Sequence, residues 1–156
     1  MDIFDTVAAL AAIVHVLAGA AWFGAMFYSL TVLQPRAARY FASPAEYETF
    51  VATISQGARW SVLAAFGLVG LSGLTLGLLH DSDAVSIRWL VLVGLKLILF
   101  AVAFALFVHV SWRLWPERIM ALADEIPRVQ RVARRLATIT LCLVGLSMAL
   151  GVLAHR

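Results

Sequence analysis

Apolar residues run along this chain in stretches longer than a soluble helix or strand requires. Four of them, near residues 8–33, 60–79, 89–110 and 136–154, meet the ~20 apolar residues that a helix needs to cross a bilayer. They and their links use up nearly all the chain. The pattern therefore predicts an all-α fold: an integral membrane four-helix bundle forming a single transmembrane domain over residues 1–156. In the first link, Ser43-Pro44-Ala45-Glu46 reads as an N-cap, a proline at the first helical position and a capping-box acid, so a helix starts there and runs on into the second span. Pro116 and Pro127 punctuate the third link in the same way. The first span ends Gln34-Pro35-Arg36 and the third Trp115-Pro116-Glu117-Arg118, each followed about ten residues later by a second proline. That echo is what two hairpins in parallel orientation, arising by duplication, would leave.

Charge gives the spans a direction. Arg36, Arg39 and Arg59 flank the first link, and Arg113, Arg118, Arg128, Arg131, Arg134 and Arg135 flank the third; only Arg88 and Arg156 lie at the opposite ends. Excess basic residues mark cytoplasmic loops. Both termini and the short His80–Arg88 link are therefore expected on the outer, periplasmic side of a bacterial cell inner membrane, in a multi-pass protein. Trp60, Trp89, Trp112 and Trp115 fall at span ends, where interface anchors belong; Trp22 does not.

Composition agrees. The chain is 63% hydrophobic and 13% charged, with mean hydropathy +0.93, whereas soluble domains are roughly half apolar and a quarter charged. The net charge of +3 comes from arginines beside the spans, so no nucleic-acid partner is expected. The single Cys142 excludes an internal disulfide and a cysteine-based zinc site. The N-terminus carries Asp2 and Asp5 with no Lys or Arg, which argues against a cleaved signal peptide.

Against this background Lys96 is the anomaly, a cation within the apolar run Trp89–Val108. An ionisable residue inside a span is a functional-site hypothesis by default. At about 1.5 Å per helical residue, Lys96 lies roughly 12 Å below the outer end of its span and His15 roughly 15 Å. On the same scale Thr75 and Ser72 lie roughly 8 and 12 Å deep, and Met148 and Ser147 roughly 10–12 Å. Every span thus gives a polar or ligand-capable group to one outer layer. On the cytoplasmic side Met26, Cys142, Thr138 and Thr140 look scattered. A neutral His suits haem iron or copper, and Met adds a thioether suited to Cu(I). A charged Lys repels a metal cation and favours an anion such as a haem propionate or a quinone oxygen.

Plainer readings stand beside these. His15 bonded to Ser72 or Thr75 would be satisfied by helix packing, and Lys96 could snorkel outward. Met148 serves equally as packing filler, and Ser72 and Ser147 beside Gly73 and Gly145 as small helix contacts. His109 fits interface solvation. His80 and His155 fit exposed loops or an entrance with Asp81 and Asp83.

The stretch His15-Val-Leu-Ala-Gly-Ala-Ala-Trp22-Phe-Gly24, with Val32-Leu-Gln-Pro35, resembles the first helix of the copper-resistance D (CopD) domain. Arg59-Trp-Ser61 with Leu71-Ser-Gly73 is similar to that domain's second helix, Leu95-Lys96-Leu97 to a helix with a central Lys, and Arg134-Arg135 to the approach to the last. The resemblance implies copper handling (binding, import or tolerance) with a copper ion held by His15 and Met148. The chain lacks the extra helices and Met/His-rich parts of longer CopD proteins. The same residues also resemble the HemJ-type protoporphyrinogen oxidases, which implies haem b bound by His15, with Lys96 in propionate pairing or as the catalytic residue in proton transfer, and Trp22 against the ring. A third expectation is an accessory subunit of a membrane complex. The lipid bilayer is the expected partner in every case, and a homodimer or larger membrane complex the expected assembly.

Overall fold

The computed structural model describes residues 2–80, 86–122 and 124–154. Among them there are helices and short connections and no strand. The four long helices are α1 (Ile3–Tyr40), α2 (Pro44–Leu78), α3 (Ile87–Ile119) and α4 (Ile126–Ala154), each long and apolar enough to cross a membrane. The first, third and fourth predicted spans lie within them, the second (60–79) runs one residue past Leu78, and at the arginine-rich end the helices run on beyond the apolar stretches. α2 begins where the sequence placed it: the Ser43 hydroxyl accepts a hydrogen bond from the Glu46 N–H at 3.2 Å. α3 starts likewise, with Ser86 capping the Trp89 N–H at 3.1 Å.

The expectation that Pro35 and Pro116 mark helix ends is corrected. Both prolines lie inside continuous helices, two residues after a π-helical turn, Ser29–Leu33 in α1 and Val110–Leu114 in α3. A proline lacks an N–H, and its ring collides with the carbonyl four residues back. Widening the preceding turn relieves that collision. The residue before each proline then donates to the carbonyl five back: Gln34 N–H to Ser29 and Trp115 N–H to Val110.

The echo between the two halves is a structural repeat. Pro35 and Pro116 are 81 residues apart, and the two π turns share that offset. α1 packs along α2, α3 packs along α4, and α1 meets α4 between the hairpins. The best-buried layer takes one residue from each helix: Trp22, Phe66, Ala103 and Val144. Trp22 and Ala103 are again 81 apart, and Phe66 and Val144 are 78 apart. Phe66 is the hub, 2% exposed, with the Trp22 ring centroid 4.3 Å away and Phe100, Phe104 and Phe107 at 5.2–5.4 Å. Outward positions are the reverse: Leu17, Leu71 and Leu97 are exposed by 64%, 69% and 63%. An apolar girdle of this kind matches lipid surroundings.

Candidate functional site

The aromatic layer divides the bundle interior into two cavities. One, of about 400 Å³, lies toward the end that holds the start of α1 and the close of α4. The other, of about 730 Å³, lies toward the arginine-rich end. Trp22 borders both.

The termini-end cavity collects most of the expected polar layer. His15, Lys96, Ser147, Met148 and Trp22 all line it, among apolar walls that include Leu99, Phe100 and Val144. Ser72 takes part indirectly, through His15. Thr75 does not: its hydroxyl donates back to the Leu71 carbonyl at 3.0 Å, as helical threonines do.

His15 is held in one chemical form. Its Nδ1 lies 3.1 Å from the Val69 carbonyl oxygen and 3.1 Å from the Ser72 hydroxyl. A carbonyl only accepts, so Nδ1 carries a proton. The Ser72 hydroxyl spends its own proton on the Leu68 and Val69 carbonyls, so toward His15 it too accepts. In the neutral imidazole the lone pair is then on Nε2, which has no hydrogen-bond partner among the described residues. Binding one ring N–H to a carbonyl so that the other nitrogen can ligate is the usual outer-shell arrangement of metal-binding histidines.

Two glycines make room for the pair. A Cβ at Gly73 would stand 3.1 Å from His15 Cε1 and 3.4 Å from Nδ1, so only glycine lets the ring lie against α2. A Cβ at Gly151 would stand 3.2 Å from Lys96 Nζ. The ammonium therefore crosses to α4, three residues from that helix's end at Ala154. His15 and Lys96 are 81 residues apart, and Gly73 and Gly151 are 78 apart. Imidazole-on-glycine in one hairpin thus corresponds to ammonium-on-glycine in the other.

Trp22 belongs to the core layer at 6% exposure, and its Nε1 is buried without a hydrogen-bond partner among the described residues. A buried N–H left unpaired costs about 1–3 kcal/mol. His80 stacks on Trp89, with ring centroids 4.3 Å apart and planes 4° from parallel, away from both cavities. His109 and Cys142 are exposed. Asp81, Asp83 and His155, the remaining members of the expected entrance, lie outside the described residues.

The arginine end is where sequence reasoning fell short. Met26 and Thr140, which look scattered along the chain, line the larger cavity together with Arg59, Arg118, Arg131 and Arg134. Arg118 forms an ion pair with Glu48 through its Nε and, at 3.0 Å, its Nη2. The Gln130 amide donates to the same carboxylate at 2.8 Å. The usable signal was Arg131, Arg134 and Thr140 on one helix, which share a cavity only once α2 and α3 are in place, whereas Thr138 is exposed and bonds back to the Arg134 carbonyl.

Among the described residues no three His, Cys, Asp or Glu side chains gather to hold a metal ion. No family model, curated protein or solved structure matches the chain.

Proposed function

We propose that the chain is a multi-pass membrane protein whose termini-end cavity binds a flat, anion-bearing redox cofactor of the haem b type. The observation that carries this reading is His15: Nδ1–H is tied to Val69 and Ser72, which leaves Nε2 as a free donor on a cavity that Lys96 also lines. About 400 Å³ falls within the roughly 300–1,000 Å³ typical of small-molecule and cofactor pockets. A bare ion would need far less. The mostly apolar walls suit a hydrophobic macrocycle, Nε2 suits axial ligation of iron, and the Lys96 ammonium suits a carboxylate substituent. Bound haem would supply one-electron chemistry. The protein's part is to fix the imidazole tautomer, hold a cation at the cavity's outer side and keep the apolar interior dry. The resemblance to HemJ-type oxidases points the same way.

A second reading keeps the copper expectation from the CopD resemblance, because His15 and Met148 line the same cavity. An imidazole and a thioether suit Cu(I), but Lys96 on the same wall opposes a cation. Under either reading the arginine-rich end faces the cytoplasm and both termini face outward, by the excess of basic residues. An inner membrane of a bacterial cell is the setting proposed.

The test is the visible spectrum of protein purified from haem-replete cells, followed by haemin addition. A Soret band that is lost in His15→Ala, with elution of the variant unchanged, supports the haem reading. No His15-dependent band after haemin addition overturns it. Stoichiometric copper lost in His15→Ala and in Met148→Leu would then favour the second reading.

A further inference from the structure

The arginine-end cavity, of about 730 Å³, closes on the aromatic layer and carries Arg59, Arg118, Arg131 and Arg134 on its walls. Its chemistry changes with depth. Glu48 neutralises Arg118, which leaves Arg59, Arg131 and Arg134 with no ion-pair partner among the described residues. Arg59 lies over the Trp112 ring, 5.5 Å from its centroid, and keeps its guanidinium edge for another partner. No acidic side chain among the described residues lines the cavity. Below the arginines the walls are mostly apolar, with Met26, Val62, Phe107 and Ala137 beside the buried hydroxyls of Ser111 and Thr140. At the floor stands the buried Trp22.

Cations above a mostly apolar shaft match a particular kind of molecule. We propose that this cavity is a second ligand site, independent of the cofactor reading, for an amphiphile with a carboxylate or phosphate head. The head pairs with Arg131, Arg134 and Arg59, whose planar forks bind such oxyanions bidentately. The apolar body fills the shaft toward Trp22. Basic pockets between membrane helices take anionic lipid heads on the same principle. A free inorganic anion would use the arginines and leave the apolar depth empty.

The test is titration of the full chain in maltoside micelles with dibromostearate, whose bromines quench tryptophan fluorescence on contact. Saturable quenching is expected, with about tenfold weaker binding in the R131Q/R134Q double variant. The R36Q/R39Q variant, which loses the same charge at the same end but outside the cavity, is expected to match wild type. Ala137→Phe, which fills the shaft and alters no charge, is expected to abolish the quenching and stands in if the arginine variant does not fold. Equal quenching by R131Q/R134Q and R36Q/R39Q overturns the proposal, as does equal quenching by the methyl ester of the acid. Reversal of the quenching by inorganic phosphate in wild type and R36Q/R39Q alike, with R131Q/R134Q insensitive to phosphate, also overturns it, in favour of a free-anion site.

Discussion

His15 and Lys96 stand at equivalent positions of the two hairpins, 81 residues apart, each with its polar tip against a glycine of its partner helix. One half thus supplies an imidazole and the other a lysine, the two groups that the proposed haem ligand would use. Both line one cavity, above a layer that also obeys the repeat.

The two glycines predict unequal outcomes. Gly73→Ala puts a methyl 3.1 Å from the ring of His15, which two hydrogen bonds hold in place. The ring must shift or the helices part, so ligand binding through Nε2 falls by about tenfold or more, with a thermal-stability loss of about 1–3 kcal/mol. Gly151→Ala meets only the end of a flexible lysine, which swings aside. Its stability loss is expected below about 1 kcal/mol. Thermal unfolding of both variants in detergent, with and without added haemin, reads the difference.

Ser72→Ala tests how firmly the tautomer is set. The Val69 carbonyl still accepts from Nδ1, so the lone pair stays on Nε2. Hydrogen bonds between membrane helices average about 0.6 kcal/mol, and a loss of that order is expected, with ligand spectra unchanged. Spectra that change as much as in His15→Ala would mean that Ser72, and not the backbone, orients the imidazole.

The aromatic layer gives effects of very different size for two neighbours. Phe66→Ala opens a void at the contact of all four helices and is expected to cost about 3–5 kcal/mol. Trp22→Phe removes an N–H that has no partner among the described residues. Relief of that group offsets the smaller ring, so the net change is expected within about 1 kcal/mol. Chemical denaturation of the two variants compares them directly.

Much of this was legible in the chain. Four apolar runs mark the helices, Ser43 marks the start of α2, and the shared depth of His15, Lys96, Ser147 and Met148 foretold their meeting. The prolines misled, because a π turn lets a helix pass a proline and no local residue announces it. Thr75 misled because a helical threonine satisfies itself on its own backbone. The arginine-end cavity stayed hidden for a third reason. Its walls come from every helix, and basic residues near span ends otherwise read as topology signals alone.

Glu48 is the residue through which the arginine end is held together, since one carboxylate binds both Arg118 and Gln130. Glu48→Gln removes the charge from a pair whose side chains are 15% and 13% exposed. A destabilisation of about 2 kcal/mol is expected, the cost of a largely buried guanidinium left without its partner. Thermal unfolding with the Arg118→Gln and double variants, as a cycle, isolates the coupling.

The central claim is that His15 and Lys96 serve one molecular ligand in different ways, and a single haemin titration of wild type, His15→Ala and Lys96→Met measures it. The account predicts that His15→Ala loses the ligated Soret band, while Lys96→Met keeps the band's position and binds about tenfold more weakly. Wild-type band position and affinity in both variants would contradict it.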